Sequence, residues 1–109
     1  MHVSNLGVDM TTITTVSSAT YQMTQFDRWL QVDYTSTGAV TLTLPPVAMF
    51  GTGLKLIKDS GFNAGVNNIT ILPYSTETID GSPSVILATS RGMVGIFSDG
   101  VNYFVANFT

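Results

Sequence analysis

No stretch of this chain keeps a helical period for the length of a helix; from Thr20 onward it is cut, about every ten residues, by Gly, Pro, Asn or Asp. Segments that short can hold strands but not stable helices, and turn signals at this spacing are those of an all-β sandwich or barrel. Ala39–Leu44 (AVTLTL) is the clearest strand. Val40, Leu42 and Leu44 alternate with Thr41 and Thr43, the pattern of a strand with one buried face. Pro45-Pro46 stops it, because proline has no N–H to give a ladder. Leu30, Val32 and Tyr34 share one face of another strand, with Trp29, Gln31 and Asp33 on the other. Short strands are also read at Tyr21–Met23, Leu54–Lys58, Ile69–Leu72 and Ser84–Ala88, while Val47–Gly53 reads as a loop or a single helical turn. Met93–Phe97 and Tyr103–Asn107 flank Asp99-Gly100, a dipeptide that favours tight hairpins. The expected fold is therefore all-β: a single antiparallel β-sandwich, jelly-roll-like, of about eight short strands over residues 20–109, with an extended N-terminal arm over residues 1–19.

Composition narrows the function classes. Charged residues make up 10% of the 109, well under the usual quarter, while 44% are apolar. Disorder needs high charge and low hydrophobicity, so the chain is expected to fold. A surface poor in charge suits a protein that packs against copies of itself. The net charge is −3, and the four basic residues Arg28, Lys55, Lys58 and Arg91 form no run, so no nucleic-acid partner is expected. Lys55 and Lys58 are three apart in a strand pattern and so point to opposite faces. Without cysteine there are no disulfides or thiolate sites. Residues 1–20 lack a basic segment followed by an apolar core, and no run approaches the ~20 apolar residues that a membrane helix needs. A soluble chain without a cleavable export signal is expected.

Catalytic chemistry has few candidates. His2 is the only histidine, and it sits next to the first residue, so a nucleophile would lack its usual base. Glu77 and Asp80 could form a carboxylate pair of the glycosidase kind, but Asp80 precedes Gly81 and reads as a turn residue. Asp59, Asn63, Asn67 and Asn68 supply oxygens in one long loop, but a single carboxylate makes a poor calcium site. Trp29, Tyr34, Phe62, Tyr74, Tyr103 and Phe104 read first as core or interface rings and second as a glycan platform. No enzyme activity, metal or cofactor is expected.

The order of several short motifs carries a resemblance. Tyr21 is followed by the Asp27–Val32 strand entry, Thr43-Leu44-Pro45, Gly53, Ile57-Lys58-Asp59 and Asn63-Ala64-Gly65. Asn68-Ile69-Thr70-Ile71, Thr78-Ile79-Asp80-Gly81 and Ser98-Asp99-Gly100 then lead to Tyr103, where the pattern often has Trp. Over about four-fifths of its length the chain resembles a small all-β module that recurs in the tail-fibre, spike and decoration proteins of bacterial viruses. That resemblance implies a trimeric virion component. The chain departs from the long fibres in having no heptads, no shaft repeats and no second domain. This turns the expectation toward a capsid decoration (cement) protein, a homotrimer on the capsid surface that contacts the major capsid protein and bridges capsomers. The alternative is a short head or tail fibre or spike module that binds a host receptor or carbohydrate through its loops. Ile13 and Val16 are the candidate anchors of the arm; Arg28, Trp29 and Arg91 are further interface candidates.

Overall fold

The computed structural model describes residues 12–35 and 38–108, with residues 107 and 108 as backbone only. Nine strands and one helical turn follow in order: β1 (Ile13–Val16), β2 (Thr20–Gln22), β3 (Trp29–Val32), β4 (Val40–Thr43), α1 (Val47–Phe50), β5 (Thr52–Asp59), β6 (Ile69–Leu72), β7 (Val85–Leu87), β8 (Met93–Asp99) and β9 (Tyr103–Phe108). The protein is mostly β, as its alternating runs predict. Val47–Phe50 makes the single helical turn, and Gly51 ends it at φ 76°, a conformation open to glycine, with its N–H donating to the Val47 carbonyl.

The strands lie in a five-stranded sheet of order β1-β3-β5-β8-β9 and a four-stranded sheet of order β2-β4-β6-β7. Up to β6 the chain passes from one sheet to the other at every step. Each strand therefore pairs in parallel with the one two places earlier: β1 with β3, β3 with β5, β2 with β4, and β4 with β6. This winding is a short coil of two-sheet turns. The last three strands reverse it, as β7 pairs antiparallel with β6, β8 with β5, and β9 with β8.

The antiparallel, jelly-roll-like arrangement expected from the sequence is thus corrected to two mixed sheets. Alternation of period two reports that one face is buried, and it is the same for both strand directions. Direction is set by the connections. Parallel neighbours need a long crossover, and here the strand in the opposite sheet is part of that crossover. The hairpin expected at Asp99-Gly100 does form: the Asp99 carboxylate accepts the Val101 and Asn102 N–H at 2.9 and 2.8 Å.

Between the sheets, apolar side chains stack in register from strand to strand. Leu30, Ile57 and Val94 make one row of the five-stranded sheet. Val40, Ile69 and Leu87, and beside them Leu42, Ile71 and Val85, make two rows of the other. These residues join Met23, Leu44, Phe50, Ile79, Ile96 and Tyr103 in one buried core. Thr41 and Thr43 point away from it, as their alternation predicts. Ile13–Val16 lies within the segment read as an arm, yet it is registered against β3 at four positions and buries Val16. Residues 1–11 of that segment lie outside the described residues.

Candidate functional site

The winding leaves corners wherever the chain changes sheet, and carboxylates hold these corners. At the corner between β2 and β3, Asp27 accepts the Thr14 hydroxyl at 2.8 Å, the Tyr21 hydroxyl at 2.9 Å and the Thr24 N–H at 2.8 Å. After β5, one oxygen of Asp59 accepts the N–H groups of Asn63, Ala64 and Arg91 at 2.9, 2.9 and 3.1 Å. Glu77 accepts the Val47 N–H at the start of α1, and Asp80 accepts the Val105 N–H at 3.1 Å. With Asp99 in its hairpin, five of the seven carboxylates in the chain receive backbone N–H groups from the chain itself. Glu77 and Asp80, weighed above as a catalytic pair, are two of these clamps, and Asp59 is another rather than a free loop oxygen. Among the described residues no three His, Asp or Glu side chains converge to hold a metal ion.

One buried cation completes the corner at Asp27. Lys55 is 0% exposed, on the inward side of β5, while Lys58 points out, as their spacing predicts. The Lys55 ammonium donates to the backbone carbonyls of Thr24 and Asp27 and lies 4.0 Å from the centre of the Phe50 ring. The Arg28 guanidinium lies 4.3 Å from the same ring. Phe50 also meets Tyr103, with ring centres 6.1 Å apart, and Tyr103 donates its hydroxyl to the Pro45 carbonyl at 2.9 Å. Burying an unpaired cation would be costly, and this one is kept by two carbonyls, an aromatic face and the nearby Asp27 charge.

These groups give stability a distinct pH dependence. Burial lowers the Lys55 pKa from 10.5 to about 8, with the Asp27 charge opposing the fall and the Arg28 charge adding to it. Between these values the unfolded chain binds the proton that the folded chain has lost, so stability rises with pH. The gain expected from pH 8 to 10 is about 2 kcal/mol. Above pH 10 the tyrosines act in the opposite sense. Burial, then the hydrogen bond and charge of Asp27, push Tyr21 up to about 12, and burial with the Glu77 charge raises Tyr103 further. The folded chain then keeps protons that the unfolded chain releases, and stability falls. Asp27 shapes the acid limb: burial pushes its carboxyl up, but the Thr24 amide, the Thr14 and Tyr21 hydroxyls and the Lys55 charge together hold it below its ordinary value. Its contribution is present at neutral pH and lost as pH falls through that lowered pKa. Urea midpoints measured from pH 3 to 11 are expected to peak near pH 9–10; a flat profile from pH 7 to 10 would mean that Lys55 stays charged in the fold.

The two outer faces differ. On the four-stranded sheet one row runs Thr20, Thr41, Thr70 and Ile86, so that face carries hydroxyls and, on β7, an apolar side chain that is 49% exposed. On the five-stranded sheet one row runs Ile13, Trp29, Leu56, Gly95, and another runs Leu54, Phe97, Phe104. The Phe97 and Phe104 rings stack with centres 5.1 Å apart. A hollow of about 300 Å³ opens beside the first row, lined by Ile13, Trp29, Leu30, Gln31, Lys58 and Met93. A smaller one of about 170 Å³ lies at the Thr76–Thr78 loop, lined also by Val47, Val101, Asn102 and Tyr103.

Of the interface candidates, Ile13 and Trp29 are register partners on this apolar face. Val16 is in the core. Arg28 is engaged with Phe50, and Arg91 covers the exposed Phe62 ring at 4.4 Å. The sequence reading did not assemble Leu54, Leu56 and Phe97 with Trp29. Their phase was legible, since Leu54 and Leu56 alternate with Lys55 and Ile57, but a buried lysine in that strand inverts the usual reading of which phase faces the core. In comparisons with known proteins, the chain matches no protein-family model and none of the curated proteins.

Proposed function

We propose that this protein is a structural component of a bacteriophage particle, a homotrimeric decoration protein on the capsid surface. It would bind the major capsid protein where capsomers meet and stiffen the shell by adding buried contact. The observation that carries this reading is how the chain uses its polar chemistry. Five carboxylates are committed to the chain's own backbone N–H groups, and the buried Lys55 is held by carbonyls and a ring. Of the two outer sheet faces, one carries mostly hydroxyls with Ile86 beside them, and the other carries two apolar rows. That composition suits a rigid part that acts by contact, and the resemblance in motif order to phage decoration and fibre modules points the same way. No enzymatic step is proposed.

A second reading draws on the hollow at the Thr76–Thr78 loop. Glu77, Thr76, Thr78 and Asn102 line it with groups that pair with hydroxyls, as a sugar-binding site on a fibre or spike would. Particle imaging separates the two. Hundreds of copies in threes on the capsid threefold axes fit decoration, and a few copies at the tail or a vertex fit a receptor-binding fibre. Absence from purified particles would overturn both.

A further inference from the structure

We infer that the hollow at the Thr76–Thr78 loop is a binding site for one neutral pyranose, a six-membered sugar ring without a carboxylate. The hollow, about 170 Å³, lies where the segment between β6 and β7 meets the β8–β9 hairpin. Thr76, Glu77, Thr78, Val101 and Asn102 line it together with the buried Tyr103. At the other corners the polar side chains are taken up by the chain itself; here several are not. The Thr76 and Thr78 hydroxyls and the Asn102 amide make no side-chain hydrogen bond to any described residue. Glu77 accepts the Val47 N–H with its two oxygens, at 3.1 and 3.4 Å, and an ionised carboxylate can accept further donors.

The lining names the ligand class. Hydroxyls and an amide both donate and accept, and Glu77 accepts, so a ligand carrying several hydroxyls can answer all of them. Glu77 is the one charged side chain lining the hollow among the described residues, so an anionic ligand would meet a like charge with no cation to offset it. A hard cation is poorly served as well, with a single carboxylate that already holds a backbone N–H. Val101, 71% exposed, offers apolar surface to the C–H groups of a sugar ring. The volume is below the ~300–1,000 Å³ of sites for drug-sized ligands, which suits one ring rather than an oligosaccharide. The walls are also fixed in advance. Glu77 donates its N–H to the Tyr74 carbonyl at 2.9 Å, and Asp80 donates its N–H to the Tyr103 carbonyl at 2.9 Å, which fastens the loop to β9. Across the hollow, the Asp99 carboxylate holds the Val101 and Asn102 N–H groups. A site built before its ligand arrives loses little free energy to ordering. This inference rests on the reading of the hollow as a sugar site, and it adds the class of sugar and the groups that select it.

The test is an amide-resolved NMR titration of the full chain with glucose, galactose and mannose, their methyl glycosides, glucuronate and calcium chloride. A neutral sugar is expected to shift the Thr76, Thr78, Val101 and Asn102 amides saturably, with Kd on the order of 1–10 mM, and glucuronate to bind about tenfold more weakly or not at all. Thr76→Val and Asn102→Ala each remove one hydrogen-bonding group from an exposed position, so the fold is kept, and each is expected to weaken binding about three- to tenfold. Glu77→Gln keeps an oxygen for the Val47 N–H while removing the charge, and is expected to narrow the gap between glucuronate and the neutral sugars. Methyl glycosides that bind as well as the free sugars would support the inference with the end unit of a glycan as the source. Binding of the free sugars alone would support it with a free sugar as the source. Glucuronate bound as tightly as the neutral sugars overturns the inference while leaving the hollow a sugar site. No saturable shift at these amides with any sugar overturns both, and the decoration reading, judged by particle imaging, stands apart from that result. Shifts of the same amides with calcium alone overturn the inference in favour of a cation site.

Discussion

Replacing Asp27 by alanine is expected to lower stability by about 3–5 kcal/mol, as removal of one partner from a buried charged network does. Three donors converge on that carboxylate, the Thr14 and Tyr21 hydroxyls and the Thr24 N–H, and each would lose its acceptor. Lys55 would keep its carbonyl partners but lose the opposite charge beside it. The three donors come from β1, β2 and the corner after it, so one side chain ties the first coil to the lysine of β5. Asp27→Asn keeps an acceptor oxygen and is expected to cost less. The double variant with Lys55→Met is expected to recover part of the alanine loss by removing the uncompensated cation. Guanidinium titrations of the four proteins test this. If the double variant is no more stable than Asp27→Ala, the unpaired lysine is not a source of the loss.

Phe50→Ala is expected to cost about 3–5 kcal/mol, the range for deleting a buried aromatic ring. More than a cavity is involved. The ring lies 4.0 Å from the Lys55 ammonium and 4.3 Å from the Arg28 guanidinium, and it packs on Tyr103. Phe50→Leu refills most of the space without the ring's electron-rich face. It is expected to fall between wild type and alanine, with the residual loss on the order of 1 kcal/mol from the missing cation–ring attraction. The measurement is the same titration, and a loss below about 1 kcal/mol for alanine would show that the corner repacks around the gap.

The apolar face carries a further consequence for folding and handling. Long exposed strands with apolar side chains are sites of unwanted pairing when they lack their partner. Trp29→Lys, which puts a charge in the middle of this face, is therefore expected to make the chain less prone to aggregate, as turbidity on concentration would show.

How much of this was legible beforehand depends on which physical signal is asked. The alternation of Ala39–Leu44 announced a strand with Val40, Leu42 and Leu44 inside, and all three are buried. The Asp99-Gly100 hairpin and the turn at Asp80-Gly81 were also readable, because these residues bond their own backbone or tolerate positive φ; Asp80 stands at φ 52° and Gly81 at 77°. The opposite faces of Lys55 and Lys58 followed from strand geometry alone. These are local properties, set by side chains within a few bonds of the backbone they shape.

Strand direction, and with it the coil, was settled only by tertiary structure. A strand of period two looks the same whether its neighbour runs with it or against it, and the choice is made by where each corner delivers the chain. The same holds for the carboxylates. Asp27, Asp59, Glu77 and Asp80 are unremarkable in sequence, and they become clamps because the fold carries N–H groups from up to 32 residues away to within hydrogen-bond reach. Ile13 and Trp29, 16 residues apart in sequence, share a row with Leu56 for that reason. By itself the sequence determined, to within a residue or two at each end, where most strands lie and that their side chains alternate between two faces. Which apolar sides face one another, and which is left outside, depends on pairings between distant segments, and those exist only once the chain has closed on itself.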